Sequence, residues 1–318
     1  MSYPAPVNPD ATPAARALLR RLQQTGGTTI LSGQHNTPRE LSFYSDQAAE
    51  LTGHAPAVWG QDFGFAADGD MDGVEYRGRV MEEARRQHAA GSIITMMWHA
   101  VPPTEDEPVT FEGSICAGPL EQQSWDDLLT PGTATRDRWT RQVDVIAGHL
   151  RGLRDAGVPV VWRPYHEMNG DWFWWGHRSG PTGYPALYRA LYERFTRVHH
   201  LDNLLWVWNA NAPRGTTLAY ADCYPGHDVV DVLAADVYHN DYRQSHHDDL
   251  LTLAEGRPIA LGEVGDLPTP AVLEQQPQWA WFMTWSTFLT HDSAQDRVSP
   301  LYQHPRVSHR RDRGVGSR

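Results

Sequence analysis

Val158-Pro159-Val160-Val161-Trp162-Arg163-Pro164-Tyr165-His166-Glu167-Met168-Asn169-Gly170-Asp171-Trp172-Phe173-Trp174-Trp175-Gly176 is the stretch from which the fold can be read. It opens on an apolar run, Val158 to Trp162, and passes into Arg, His, Glu, Asn and Asp set among tryptophans. An unbroken apolar run reads as a strand buried on both faces. The polar cluster behind it reads as side chains delivered into a cleft. Tryptophan beside a carboxylic acid suits sugar chemistry: an indole stacks on the C–H face of a pyranose, and its bulk keeps a nearby carboxyl protonated. The competing reading is a structural tryptophan cluster, but a core segment would bury unpaired charges only at a cost.

The same pattern of apolar run and polar end recurs along the chain. Strands are expected at Thr29–Gly33, Ala57–Asp62, Ile93–His99, Val158–Trp162, Asn203–Asn209, Val229–Tyr238, Pro258–Gly262 and Ala280–Trp285. Helical spacing with glycine stops predicts helices at Ala14–Gln24, Phe43–Leu51, Val74–Ala90, Thr135–Asp155, Tyr184–His200, Asp248–Glu255 and Pro270–Gln275. Val101 to Pro131, rich in Pro, Gly and acids, reads as an elaborated loop. Eight strands mostly separated by helices predict an α/β fold, a single (β/α)8 TIM barrel over residues 14–305. Residues 1–13 and the basic tail 306–318 are expected to be flexible. A doubly wound open sheet is the main competitor, and it would carry a Gly-rich phosphate turn that this chain lacks. In a barrel, the strand-end residues Asp62, His99, Glu167, Asn209, Tyr238, Glu263 and Trp285 would gather on one face.

Composition narrows the partners. The 318 residues hold 27 basic and 39 acidic side chains, a net charge of −12, and every basic residue is Arg. That balance argues against nucleic acid or an anionic membrane and for a neutral ligand. Thirteen Trp require either a large core or an aromatic binding surface. Cys116 and Cys223 have no metal-type spacing, and both a disulfide and two free thiols remain open. No stretch approaches the roughly 18 apolar residues that span a bilayer. The opening Met1-Ser2-Tyr3-Pro4-Ala5-Pro6 has no apolar signal core, which reads as an intracellular protein or one whose leader has been removed.

Glu167 and Glu263 form the central constellation. Each is expected to follow a buried strand directly, so a closed barrel would bring them to one cleft across 96 residues of chain. Two facing carboxyls can divide glycoside cleavage, one giving a proton to the leaving oxygen and the other attacking the anomeric carbon. For either one alone, a strand-end carboxylate in an ion pair is the better reading, and it is the pair together with the tryptophans that points to catalysis.

Trp162 to Gly170, followed by Trp172-Phe173-Trp174-Trp175-Gly176, resembles the acid/base signature of glycoside hydrolase family 26, best known for β-mannanases. Gly262-Glu263-Val264-Gly265 resembles that family's nucleophile strand. Asn203 to Trp208, Tyr224-Pro225-Gly226, Asp236-Val237-Tyr238 and Phe282 to Trp285 fall in the family's order. The likeness runs from about Thr29 to Trp285. It implies a retaining double displacement without cofactor or metal, with Glu167 as acid/base and Glu263 as nucleophile. His166 would bond the sugar or hold the carboxyls, and Tyr238 would donate to the nucleophile. Arg163 and Asp236 would form a charged pair behind them. Trp285 would floor the subsite of the sugar being cleaved, Trp172 would line the leaving-group side, and His99, with Trp98, would supply a polar contact. Asp62 joins this set as a strand-end residue. Trp174, Trp175, Trp206 and Trp208 read equally well as core.

The implied substrate is mannan, glucomannan or galactomannan, cut by a monomer in the endo mode; such a polymer implies export. The loop Val101–Pro131 and Asn209-Ala210-Asn211-Ala212-Pro213 depart from the commonest mannanase patterns. Mixed-linkage β-glucan, β-1,3-xylan, exo-acting release of mannobiose and a non-catalytic carbohydrate-binding barrel therefore stay open. His199-His200 and His246-His247 lack a third ligand at a recognised spacing and read as solvated surface rather than a metal site.

Overall fold

A computed structural model describes residues 3–290 and 295–310. Eight parallel strands close on themselves: β1 (Ile30–His35), β2 (Val58–Asp62), β3 (Ile93–Trp98), β4 (Val160–Pro164), β5 (Leu204–Asn211), β6 (Val232–Val237), β7 (Ile259–Val264) and β8 (Trp281–Thr284). β1 pairs with both β2 and β8, which completes a (β/α)8 barrel. Around it lie α1 (Pro13–Thr25), α2 (Phe43–Thr52), α3 (Arg77–Ala89), α4 (Gln122–Leu129), α5 (Ala134–Asp155), α6 (Tyr184–Glu193), α7 (Gln244–Ala254), α8 (Pro270–Gln275) and α9 (Gln295–Tyr302).

Alternation along the strands sorts the core into two layers. Leu31, Val58, Ile93, Val161, Leu205, Val232, Ala260 and Trp281 pack together inside the barrel, with Leu18, Leu19 and Leu22 of α1 closing that cluster. The residues between them, such as Trp59, Ile94, Trp162, Trp206 and Leu261, pack outward with Val143, Leu150 and Leu187 of the helices. On the inward rows polar residues replace apolar ones toward the strands' C-terminal ends. Arg163 follows Val161, Asn209 and Asn211 follow Val207, and Asp236 follows Ala234.

The expected elements are all present, with shifted boundaries. β4 starts and ends two residues later than expected, and β5 runs on to Asn211. The segment 101–131 is not wholly irregular. It carries one turn of π-type helix, Phe111–Ile115, and α4. Its backbone bonds to the tryptophan segment through Gly118 N to Trp172 O (2.9 Å) and Leu120 N to Trp174 O (2.9 Å).

Both expected flexible ends are tied down over their described parts. Val7 N donates to Asp231 (2.8 Å) and Tyr192 Oη donates to Val7 O (2.9 Å), while Ala11 is buried. At the other end β9 (Val307–Ser308) pairs with β1, and Arg310 N donates to Ala55 O (2.9 Å). The rest of the predicted tail, 311–318, lies outside the described residues. Cys116 and Cys223 are free thiols. No helix among the described residues is long and apolar enough to cross a membrane.

Candidate active site

The C-terminal end of the barrel opens into a cavity of about 600 Å³. Glu263 reaches it through an irregularity in β7. Ala235 pairs with Leu261, but the next residue of β6, Asp236, pairs with Glu263, so Gly262 is an extra residue. A bulge of this kind shifts the alternation by one and re-aims the following side chain. It turns Glu263, which lies within the strand rather than after it, onto the inward row beside Asp236. Gly262 is required there, because a Cβ would sit 1.8 Å from Asn209 Oδ1.

Glu263 is held at both oxygens. Arg163 Nη2 donates to Oε1 (2.6 Å) and the Tyr238 hydroxyl to Oε2 (2.7 Å), while Arg163 Nη1 donates to Gly262 O (2.5 Å). Arg163 thus pairs directly with Glu263 and only at longer range with Asp236, at 3.9 Å. Burial, and then the charge of Glu263, raise Asp236 well above the usual carboxylate range.

Glu167 lies beyond β4 in a turn where Tyr165 and Glu167 take φ of 48° and 53°. The left-handed region costs an ordinary residue about 1 kcal/mol, so the turn needs outside support. Glu167 N donates to Asn209 O (2.7 Å) and Gly170 N to Glu167 O (3.0 Å). The carboxylate accepts from Trp172 Nε1 at Oε2 (2.8 Å) and from Asn211 Nδ2 at Oε1 (3.0 Å). Trp172 can fold back this far because residue 170 is glycine; a Cβ there would meet the indole at 2.1 Å. Burial, and then the charge of Glu263, push the Glu167 carboxyl up to about 7.

Carboxylate oxygens of Glu167, Asp236 and Glu263 lie within 4.8 Å of one another. Three such groups have the chemistry of a hard-cation site. Here, however, the guanidinium of Arg163 already supplies a cation, and both oxygens of Glu263 are engaged. What the arrangement offers chemically is one carboxyl that keeps its proton near neutrality, facing a second carboxylate fixed in position.

His99, His166, Trp172, Tyr238 and Trp285 line the same cavity. Trp285 stacks on the buried His35 at 3.9 Å and 15°. His99 Nδ1 lies 2.6 Å from Asp62, whose charge and hydrogen bond outweigh burial and raise the imidazole above its ordinary value. Burial, and then the charges of His99 and Arg163, push His166 well below its own. His166 Nε2 stands 4.0 Å from Glu263, too far for a hydrogen bond.

Four expectations need correction. Trp98 packs in the core rather than on the cavity wall, and Asp62 reaches the cavity only through His99. Asn209 is buried below the cavity, and Asn211, one pleat further along, lines it. His246 and His247 are buried rather than solvated: His246 lies between the carbonyls of Asp241 and Pro213, and His247 lies against Asp248 and Trp279. His199 pairs with Asp144 at 2.6 Å. Trp174, Trp175, Trp206 and Trp208 are core. Sequence reasoning missed Phe65, Asp72, Phe111, Asn211 and Arg214 as lining residues. Phe111 and Asn211 fall in the two segments that depart from the commonest mannanase patterns, which is the one signal that points to them.

The model of Glycosyl hydrolase family 26 matches residues 7–311. The chain is 35% identical over 298 residues to a mannan endo-1,4-beta-mannosidase of Thermothelomyces thermophilus, covering 89% of this chain and 58% of that protein. It is 28% identical to a protein of the same description from Bacillus subtilis, covering 94% of this chain and 86% of that one. It spans about half the length of the two Piromyces relatives, 47% and 50%. Among solved structures, the GH26A structure from a Muricauda species superimposes with a TM-score of 0.92 at 44% identity, over 96% of this chain and 99% of that one. A Podospora anserina GH26-CBM35 beta-(1,4)-mannanase superimposes with 0.79 at 30% identity, over 96% and 68%.

Proposed function

The chain belongs to glycosyl hydrolase family 26, and from that premise we propose that it is a retaining endo-β-1,4-mannanase acting on mannan, glucomannan or galactomannan. The observation that carries the reading is that one carboxylate oxygen of Glu167 and one of Glu263 lie within 4.8 Å of each other in one cavity. Retaining enzymes hold their two carboxyls about 5 to 5.5 Å apart, whereas inverting ones need about 6.5 to 9.5 Å to admit a water. The relatives named as mannan endo-1,4-beta-mannosidases support the substrate class.

The roles follow from the two environments. Glu263 attacks the anomeric carbon while Glu167 transfers its proton to the departing oxygen, leaving a glycosyl ester on Glu263. Glu167, now ionised, takes a proton from water. The hydroxide adds to the anomeric carbon, the ester bond breaks, and Glu263 is regenerated with the anomeric configuration restored. Tyr238 and Arg163 hold the attacking oxygens in place, and Trp285 offers the sugar an aromatic face.

The test is product analysis on mannan, lichenan, xylan and cellulose, with the first-formed anomer read by NMR. Shortened manno-oligosaccharides carrying the β anomer are expected. An α anomer would overturn the nucleophile assignment. Binding of mannan without release of reducing sugar would reduce the protein to a carbohydrate-binding barrel.

A further inference from the structure

One buried amide is used by none of the steps above. Asn169, two residues after Glu167, is fully enclosed, and its side chain faces the end of β5 and the loop beyond it. Its Nδ2 donates to Asn211 O (2.8 Å) and Leu218 O (3.1 Å), and its Oδ1 accepts from Asn211 N (2.8 Å). Leu218 N in turn donates to Asn169 O (2.9 Å). Four hydrogen bonds therefore clip residues 211–218 to the turn that carries Glu167. The same segment supplies Asn211, which donates to Glu167, and Arg214, which lines the cavity.

We propose that Asn169 is a positioning residue. It locks the 211–218 loop to the acid/base turn, so that the Asn211 amide stays aimed at Glu167 Oε1 and the leaving-group wall moves with the proton donor. Resting on the retaining-hydrolase reading, this assigns a task to a residue that touches neither substrate nor reacting atoms. Asn211 could not be held by its own side chain alone, because its Oδ1 has no partner among the described residues. Glu167 also faces Glu263 and Asp236 from β7 and β6, Tyr238 beyond β6, His99 beyond β3, His166 of its own turn, and Cys116 beyond the π-type helix. None of these is bonded to the Asn169 side chain, so its removal changes the Asn211 contact first.

The sign of the effect is fixed. A donor to the carboxylate favours the ionised form, so losing it lets Glu167 keep its proton to higher pH. The experiment records kcat/KM against pH on a manno-oligosaccharide for the wild type, Asn211→Ala, Asn169→Ala, Asn169→Ser and the Asn169→Ala/Asn211→Ala pair. In every variant the basic limb is expected to move up by about 0.4 to 1 pH unit, the worth of one hydrogen bond, with no further movement in the pair. Rates are divided by the folded fraction read from circular dichroism at each pH, because that fraction itself falls as pH rises. The proposal is overturned if the Asn169 variants lose rate equally at all pH values with the limb unmoved, or if only Asn211→Ala moves it. A wild type without a basic limb would overturn the acid/base reading as well, which distinguishes the two failures.

Discussion

The end of β4 and the end of β7 each deliver one glutamate to the same cavity, by opposite means. Glu263 sits inside a strand, re-aimed by a one-residue bulge, and its oxygens meet a guanidinium and a phenol. Glu167 sits outside its strand in a left-handed turn, and its oxygens meet an indole and an amide. A charged donor holds a carboxylate ionised, whereas neutral donors leave burial in control, and burial keeps the proton on. Two chemically identical side chains are thereby given different surroundings, and those of Glu167 push its carboxyl up to about 7.

The proposed division of labour breaks most visibly at the nucleophile. Glu263→Ala removes the bond-forming atom, and kcat should fall about 10⁵-fold or more on any substrate. Glu167→Ala should cost about 10²- to 10⁴-fold on a polysaccharide, the range of general acid catalysis. On an aryl glycoside whose leaving group needs no proton, glycosylation should survive in Glu167→Ala, and added azide should restore turnover. Steady-state and burst kinetics on both substrate types check this. Equal losses for the two variants on both substrates would mean that the environments do not set the roles.

A smaller effect sharpens the β7 side. Tyr238→Phe deletes one of the two donors to Glu263 and leaves Arg163 in place. Loss of one preorganised donor costs about 10²-fold in kcat, with KM little changed. A change confined to KM would make Tyr238 a sugar contact instead.

How far these two ends are legible in the sequence differs in the same way. Apolar runs announce buried strands wherever they fall, so Val158–Trp162 and Pro258–Gly262 locate both glutamates within a few residues. The bulge is invisible there, because Gly262 becomes an extra residue only when β6 lies alongside it. Trp172 reads as a wall, and its hydrogen bond to Glu167 depends on Gly170 leaving room for the indole. Asn211 is hidden by a strand end placed two residues early, which gives Asn209 its position. Phe65 and Asp72 come from loops, and Phe111 from the π-type turn, whose path is set by long-range contacts such as Val109 N to Phe65 O. His246 and His247 read as solvated because a polar sequence carries no sign of the carbonyls and the tryptophan that enclose them.

The gentlest test concerns stability rather than rate. Glu167 is pushed up to about 7 in the folded protein, against about 4.3 for a free Glu side chain. Between these two values the folded chain holds a proton that the unfolded chain has released, so stability falls as pH rises through that window. Glu167→Gln keeps the shape and removes the titration. Relative to the wild type it should gain stability steadily from about pH 4.5 to 7, by on the order of 3 kcal/mol, and level off above. Thermal melts across that range read the difference directly. Glu263→Gln should show no such gain, because it leaves Arg163 buried without its closest anion. If both variants gained alike, the proton on Glu167 would be a property of the whole cavity rather than of its own end.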